Sequence, residues 1–297
     1  MESADSELSL KPGFYKFVRE ERLFCATLYH LLLQKGPNLR VFLNLVAEKL
    51  AAAKLVDPGY ATAALDTAEI YVEFTYLRDW WQDMGKANER KRETICRLLS
   101  QVDTLRSIAE GLPADIRGFN ARFMSSRRAA IIEDIAYPGQ WSVAALDVNF
   151  GQQPSVFRDL CKFKWSFNIK PDLVIILPQV EPLCIKAKLE SGEGQYPSSF
   201  GEQAIFDRLF PDVHERRVGQ LDVQQFMFDH LLGCGCQLVF LGARTSDPKV
   251  PCLSWEEVLG KMDKDSSIPF VPLLVKENRP LQGRAARSDL SLSNNVD

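Results

Sequence analysis

Residues 172–189, DLVIILPQVEPLCIKAKL, constrain this chain more than any other segment. Two short runs rich in aliphatic and β-branched residues flank a five-residue stretch bounded by Pro178 and Pro182, the pattern of two strands joined by a turn. Side chains alternate along a strand, so Lys186 and Lys188 are expected on one face. Hairpin pairing brings that face beside Asp172, which opens the first strand. One carboxylate and two ammonium groups are therefore expected together on a small sheet that helices from the rest of the chain must cover.

Those helices are legible. Apolar residues recur at helical spacing over 14–33, 39–55, 60–84, 88–110 and 119–137, with Gly36-Pro37, Gly111/Pro113 and Pro138-Gly139 as stops. Trp80, Trp81, Tyr71, Phe74, Tyr76 and Leu77 read as core in preference to a stacking platform, and the mixed-sign run 86–92 reads as a solvated helix face. After residue 140 the period shortens. Segments 142–150, 162–169, 172–177, 183–189 and 237–241 are expected to be strands, and 200–210, 218–232 and 255–262 helices. The expected organisation is a largely helical region over 1–140, which can contribute the first core helix, an α/β core over 141–277, and a polar, disordered tail over 278–297.

Composition narrows the class. The chain has 297 residues, long enough to bury a substantial core. No apolar run approaches bilayer-spanning length, and the acidic start MESADSE is unlike a secretory signal, so a cytoplasmic protein with no membrane partner is expected. Seven scattered cysteines do not suggest a disulfide framework. Cys234 and Cys236 alternate with Gly233 and Gly235 and read as a turn with small buried thiols. His30, His214 and His230 match no zinc spacing, and His30 and His230 lie in apolar helical patterns that suggest packed or interfacial histidines. A net charge of −3 does not advertise nucleic-acid binding but is compatible with a local basic groove.

With these residues in view, the chain resembles the PD-(D/E)XK nuclease superfamily over roughly residues 160–245. That pattern is an Asp opening one strand and an acid-x-Lys on the next, followed by a helix and another strand. Asp172 matches the first acid and Lys188 the lysine. The resemblance implies a restriction-endonuclease-like α/β core, with a mixed central sheet flanked by helices, and Mg²⁺- or Mn²⁺-dependent hydrolysis of a phosphodiester in nucleic acid, by expectation DNA. Mg²⁺ takes oxygen ligands, commonly carboxylates, water and substrate phosphate. Asp172 would be a metal ligand and Lys188 would position the attacking water.

Position 186 departs from the pattern, because Lys186 stands where the second acid belongs. At about 4 Å and an effective dielectric near 20 a unit charge pair is worth roughly 4 kcal/mol, so reversing one charge beside a divalent ion costs up to the order of 10 kcal/mol. Three explanations compete: an engineered or chance inactivation, a natural non-catalytic member that kept the fold for binding, or a replacement ligand, with Glu190 and Glu193 nearest. The family often adds an acid from the helix before the sheet. Glu21 is the first choice, with Glu20 beside it and Glu133 as runner-up. Downstream, Gln220, one helical turn from Gln224, is a candidate contact to the site or to substrate phosphate; the competing reading is an exposed polar face. The expectation is a nuclease lineage that is inactive or impaired as the chain stands. The rival is a non-catalytic module binding nucleic acid or protein, with Lys186 and Lys188 gripping phosphate directly and the helical region open to self-association or a protein partner.

Overall fold

The computed structural model describes residues 21–34, 36–189, 193–242 and 250–262. Glu20, Glu190 and the expected tail lie outside the described residues. Helices α1 (Glu21–Leu33) and α2 (Pro37–Ala52) keep the expected spacing, burying Phe24, Leu28, Leu31 and Leu32 on one and Leu39, Phe42, Leu43, Val46 and Leu50 on the other. Pro37 opens α2, where its missing N–H has no intrahelical partner to lose.

The expected helix 60–84 is instead a 3₁₀ turn at Tyr60–Thr62, a strand β1 (Glu69–Val72) and a helix α3 (Tyr76–Asp83). β1 buries only Ile70, so its period-two signal is a single residue long and is lost among the neighbouring aromatics. The expected helix 88–110 breaks into α4 (Asn88–Ser100) and α5 (Arg106–Glu110). The expected helix 119–137 becomes α6 (Ile116–Ala121) and α7 (Ser126–Ala129). Buried Asn120 explains the second break. Its amide donates to Asp134 O at 2.9 Å and its carbonyl accepts from Ala136 N at 2.9 Å, folding the chain back across it.

Two expected strands, 142–150 and 162–169, are helices α8 (Val143–Phe150) and α9 (Pro154–Ser166). Their β-prone composition misleads. The capping residues are the better guide: Ser142 Oγ accepts from Ala145 N, and Pro154 occupies the first turn of α9. The hairpin does form, from β2 (Leu173–Ile176) and β3 (Leu183–Ala187), with Gln179 at φ +62° in the turn between them. Beyond it come β4 (Gln195–Tyr196), α10 (Phe200–Leu209), β5 (Val218–Gly219), α11 (Gln220–Phe226) with a π-helical turn at Met227–Leu232, β6 (Gln237–Leu241), β7 (Cys252–Leu253) and α12 (Trp255–Lys261).

The fold is mixed α/β, with a five-stranded mixed sheet ordered β1-β2-β3-β6-β7 and helices on both faces. β1, β2 and β3 run antiparallel, β6 lies parallel to β3, and β7 parallel to β6. Alternation divides the strand side chains. Leu173, Ile175, Leu183, Ile185, Ala187, Val239 and Leu241 face α1, α2 and α12, while Val174, Cys184, Leu238 and Phe240 face α9 and α11. Thus α1, α2 and β1, all upstream of residue 140, share one core with the sheet they cover. Among the described residues no helix is long and apolar enough to cross a membrane.

Candidate functional site

Asp172 sits immediately before β2, and its backbone N–H donates to Ile185 O at 3.2 Å, which fixes it opposite the end of β3. Its Oδ2 accepts from Ala187 N at 2.7 Å and from Lys186 Nζ at 2.9 Å. The Lys186 side chain is 8 % exposed and that of Asp172 16 %, so this pair is nearly sealed from water. Register explains the meeting: Leu173 lies across from Ile185, which leaves residues 172 and 186 adjacent at the end of the hairpin.

Lys188 lies one residue past β3. Its main chain is gripped from both sides, with N donating to Leu241 O at 2.8 Å and O accepting from Trp255 Nε1 at 3.0 Å. A Cβ on Gly242 would come within 2.9 Å of Lys188 O, so glycine is required where β6 ends beside it. The ammonium reaches the first residue of α1, meeting Glu21 Oε1 at 3.1 Å and Oε2 at 3.2 Å. Cys25, one turn along α1, registers the whole cluster. Burial pushes its thiol up to about 12, Asp172 and Glu21 add to the rise, and Lys186 and Lys188 oppose it.

The structure therefore brings Asp172 to Lys186 and Glu21 to Lys188, as two ion pairs whose four charges all act on the Cys25 thiol. It does not bring in the others. Glu133 is exposed in the irregular chain after α7. Glu193 Oε1 accepts from Leu221 N at 2.7 Å and so caps the start of α11. Gln220 lies against Gly194 and the Tyr196 hydroxyl, in the small β4–β5 unit, with its Oε1 buried and without a hydrogen-bond partner. The glutamine face is not an exposed polar surface: Gln224 is fully buried, accepts from Cys184 Sγ at 3.5 Å and leaves Nε2 unpaired.

Other expectations need correction. Cys234 is exposed and only Cys236 is buried, in a turn where Gly233 and Gly235 take φ of +67° and +63°. His30 and His230 are exposed rather than packed in the core, which leaves the interfacial alternative of that reading. Leu77 and Trp81 are core, but Tyr71 and Tyr76 are 40 % and 51 % exposed. A surface cleft of about 470 Å³ lined by Arg158, Lys162, Phe210 and Glu215 shares no residue with the charged cluster.

The cluster as it stands does not fit Mg²⁺. A hard divalent ion needs several oxygen ligands and net negative charge. Here both carboxylates are already neutralised, and Lys186 Nζ lies against the Asp172 oxygen that would coordinate. Among the described residues no group of three or more His, Cys, Asp or Glu side chains is placed to hold a metal. Comparison with family models, with curated proteins and with solved structures gave no match to this chain.

Proposed function

We propose that this chain is a PD-(D/E)XK-like protein of nuclease lineage in which an internal ion pair has taken the place of the catalytic metal, and that as given it holds nucleic acid without cutting it. The observation that carries the reading is the 2.9 Å contact between Lys186 Nζ and Asp172 Oδ2. Supporting it are the antiparallel β1-β2-β3 arrangement with β6 parallel to β3, in which helices α3 to α9 are inserted between β1 and β2, and the delivery of Glu21 from α1 to the lysine that follows β3.

The chemistry follows from charge. Two ammonium groups and two carboxylates sum to zero, so the cluster neither attracts a divalent cation nor presents a free anion-binding surface. That also weakens the version of the rival in which Lys186 and Lys188 grip phosphate directly, since both are engaged internally and largely buried. A polyanion has to be held elsewhere on the molecule.

Cleavage of plasmid and single-stranded DNA in Mg²⁺ and in Mn²⁺, with the chain as given beside Lys186→Glu, tests the reading. The expected result is no cleavage by the former and metal-dependent nicking by the latter. Efficient metal-dependent cleavage by the chain as given would overturn it.

A further inference from the structure

We infer that a surface of aromatic rings, Tyr71, Tyr76 and Trp80 set around Phe74, is a stacking surface for a single strand of DNA, held apart from the sealed Asp172–Lys186 pair. The inference deepens the proposed function and rests on it for nucleic acid as the ligand.

The backbone that carries the rings is paired with the segment that carries Asp172. Where the chain leaves β1, Glu73 N donates to Asp172 O and Phe74 N to Pro171 O, both at 3.0 Å. From there the rings follow one another. Tyr71 meets Phe74 edge-on at 5.7 Å, Phe74 and Tyr76 stack at 6.0 Å with 10° between planes, and Tyr76 meets Trp80 at 6.4 Å. Phe74 is anchored beneath by Phe228, stacked at 5.9 Å. Phe74 and Trp80 pack against the core, while Tyr71 and Tyr76 keep 40 % and 51 % of their surface open. Phe74 is sandwiched between Phe228 and Tyr76 and serves as a support, so the open ring surface is that of Tyr71 and Tyr76, held from behind and losing little entropy when a base stacks on it.

Charge selects a polyanion over an apolar partner. Arg97 of α4 lies over Trp80, its guanidinium 5.4 Å from the ring. None of the three arginines of α4, Arg90, Arg92 and Arg97, has a carboxylate within 4 Å among the described residues, whereas Lys91 is buried over the Trp81 ring. Of the acids beside the rings, Glu73 is paired with Lys170 and Arg22 and Asp79 with Arg78, while Glu69 keeps its charge and accepts from the Tyr71 hydroxyl. Stacking surface flanked by unpaired arginine is the chemistry of single-strand binding, which needs no base-specific contacts. A duplex hides its base faces and cannot use the rings.

The test is binding of fluorescein-labelled oligo-dT of twelve nucleotides, followed by anisotropy at low salt, beside a duplex of equal length. Tyr76→Ala and Trp80→Ala are each expected to weaken oligo-dT binding by about tenfold. Arg97→Ala is expected to lower the slope of log affinity against log salt by about 0.7. Tyr71→Phe is the conservative control and should bind as the parent does, with unchanged melting temperature in the Tyr76 and Arg97 variants guarding against misfolding. If the parent binds oligo-dT and all three substitutions leave affinity and slope unchanged, the stacking surface is wrong while DNA binding stands. If duplex binds as tightly as oligo-dT and ignores the ring substitutions, the inference is likewise overturned. Failure of the parent to bind either DNA removes the binding half of the proposed function and this inference with it.

Discussion

Lys188 holds both carboxylate oxygens of Glu21, at 3.1 and 3.2 Å, across 167 residues of sequence. That contact fastens the first described turn of α1 to the residue that leaves β3. It also satisfies the lysine that the resemblance would assign to a water-positioning role, so the same pair is structural and chemical at once.

Breaking the pair from one side leaves a largely buried charge alone. Glu21→Gln should lower stability by about 1–3 kcal/mol, and Lys188→Met by a similar amount. The double variant should lose much less than the sum of the two. Urea unfolding of the four proteins measures the coupling, and additive losses would mean that the two side chains do not interact in solution.

How much of this was readable beforehand depends on how local the signal is. The hairpin carrying Asp172, Lys186 and Lys188 was legible because alternation and two prolines state it within eighteen residues. Glu21 leads an apolar helix, which is a local pattern, whereas its partner Lys188 lies 167 residues along the chain and no local signal names it. The misses have non-local causes. β1 is a strand through pairing with β2 rather than through its own residues, α8 and α9 bury faces that composition alone disguises, and α6 ends because Asn120 finds partners at Asp134 and Ala136. The aromatic pattern around Trp80 suggests core in the sequence, because a half-buried ring leaves no local sign of which side stays open.

Gln224 presents the opposite case to the ion pairs. It is fully buried against Cys184 with an amide N–H that has no partner. An unpaired buried donor costs about 1–3 kcal/mol, so Gln224→Met should leave stability unchanged or raise it by up to about 2 kcal/mol. Chemical denaturation is the check. A loss above about 2 kcal/mol would show that the amide is satisfied by a bound group.

The Cys25 thiol gives a pH prediction with a definite sign. Its value in the folded chain is raised to about 12, chiefly by burial, from an ordinary 9.0. Between these values the unfolded chain has lost the proton and the folded chain keeps it. Stability should therefore be full below pH 9 and fall as pH climbs toward 12. Cys25→Ala should flatten that decline in pH-dependent melting, and a variant with the same decline as the parent would assign it to other groups. In native alkylation at pH 8, exposed Cys234 should label before Cys25.

The Lys186–Asp172 contact makes the sharpest demand. Lys186→Glu places a second carboxylate beside Asp172 with Glu21 near, so it should be less stable than the parent in metal-free buffer, by about 2–4 kcal/mol, and recover when a divalent ion is added.

Calorimetric titration of Mn²⁺ into the chain as given and into Lys186→Glu decides the matter most directly. The glutamate variant should bind one ion and the unaltered chain none at millimolar metal. Saturable, one-to-one binding to the unaltered chain, abolished by Asp172→Asn, would contradict the replacement of the metal by lysine.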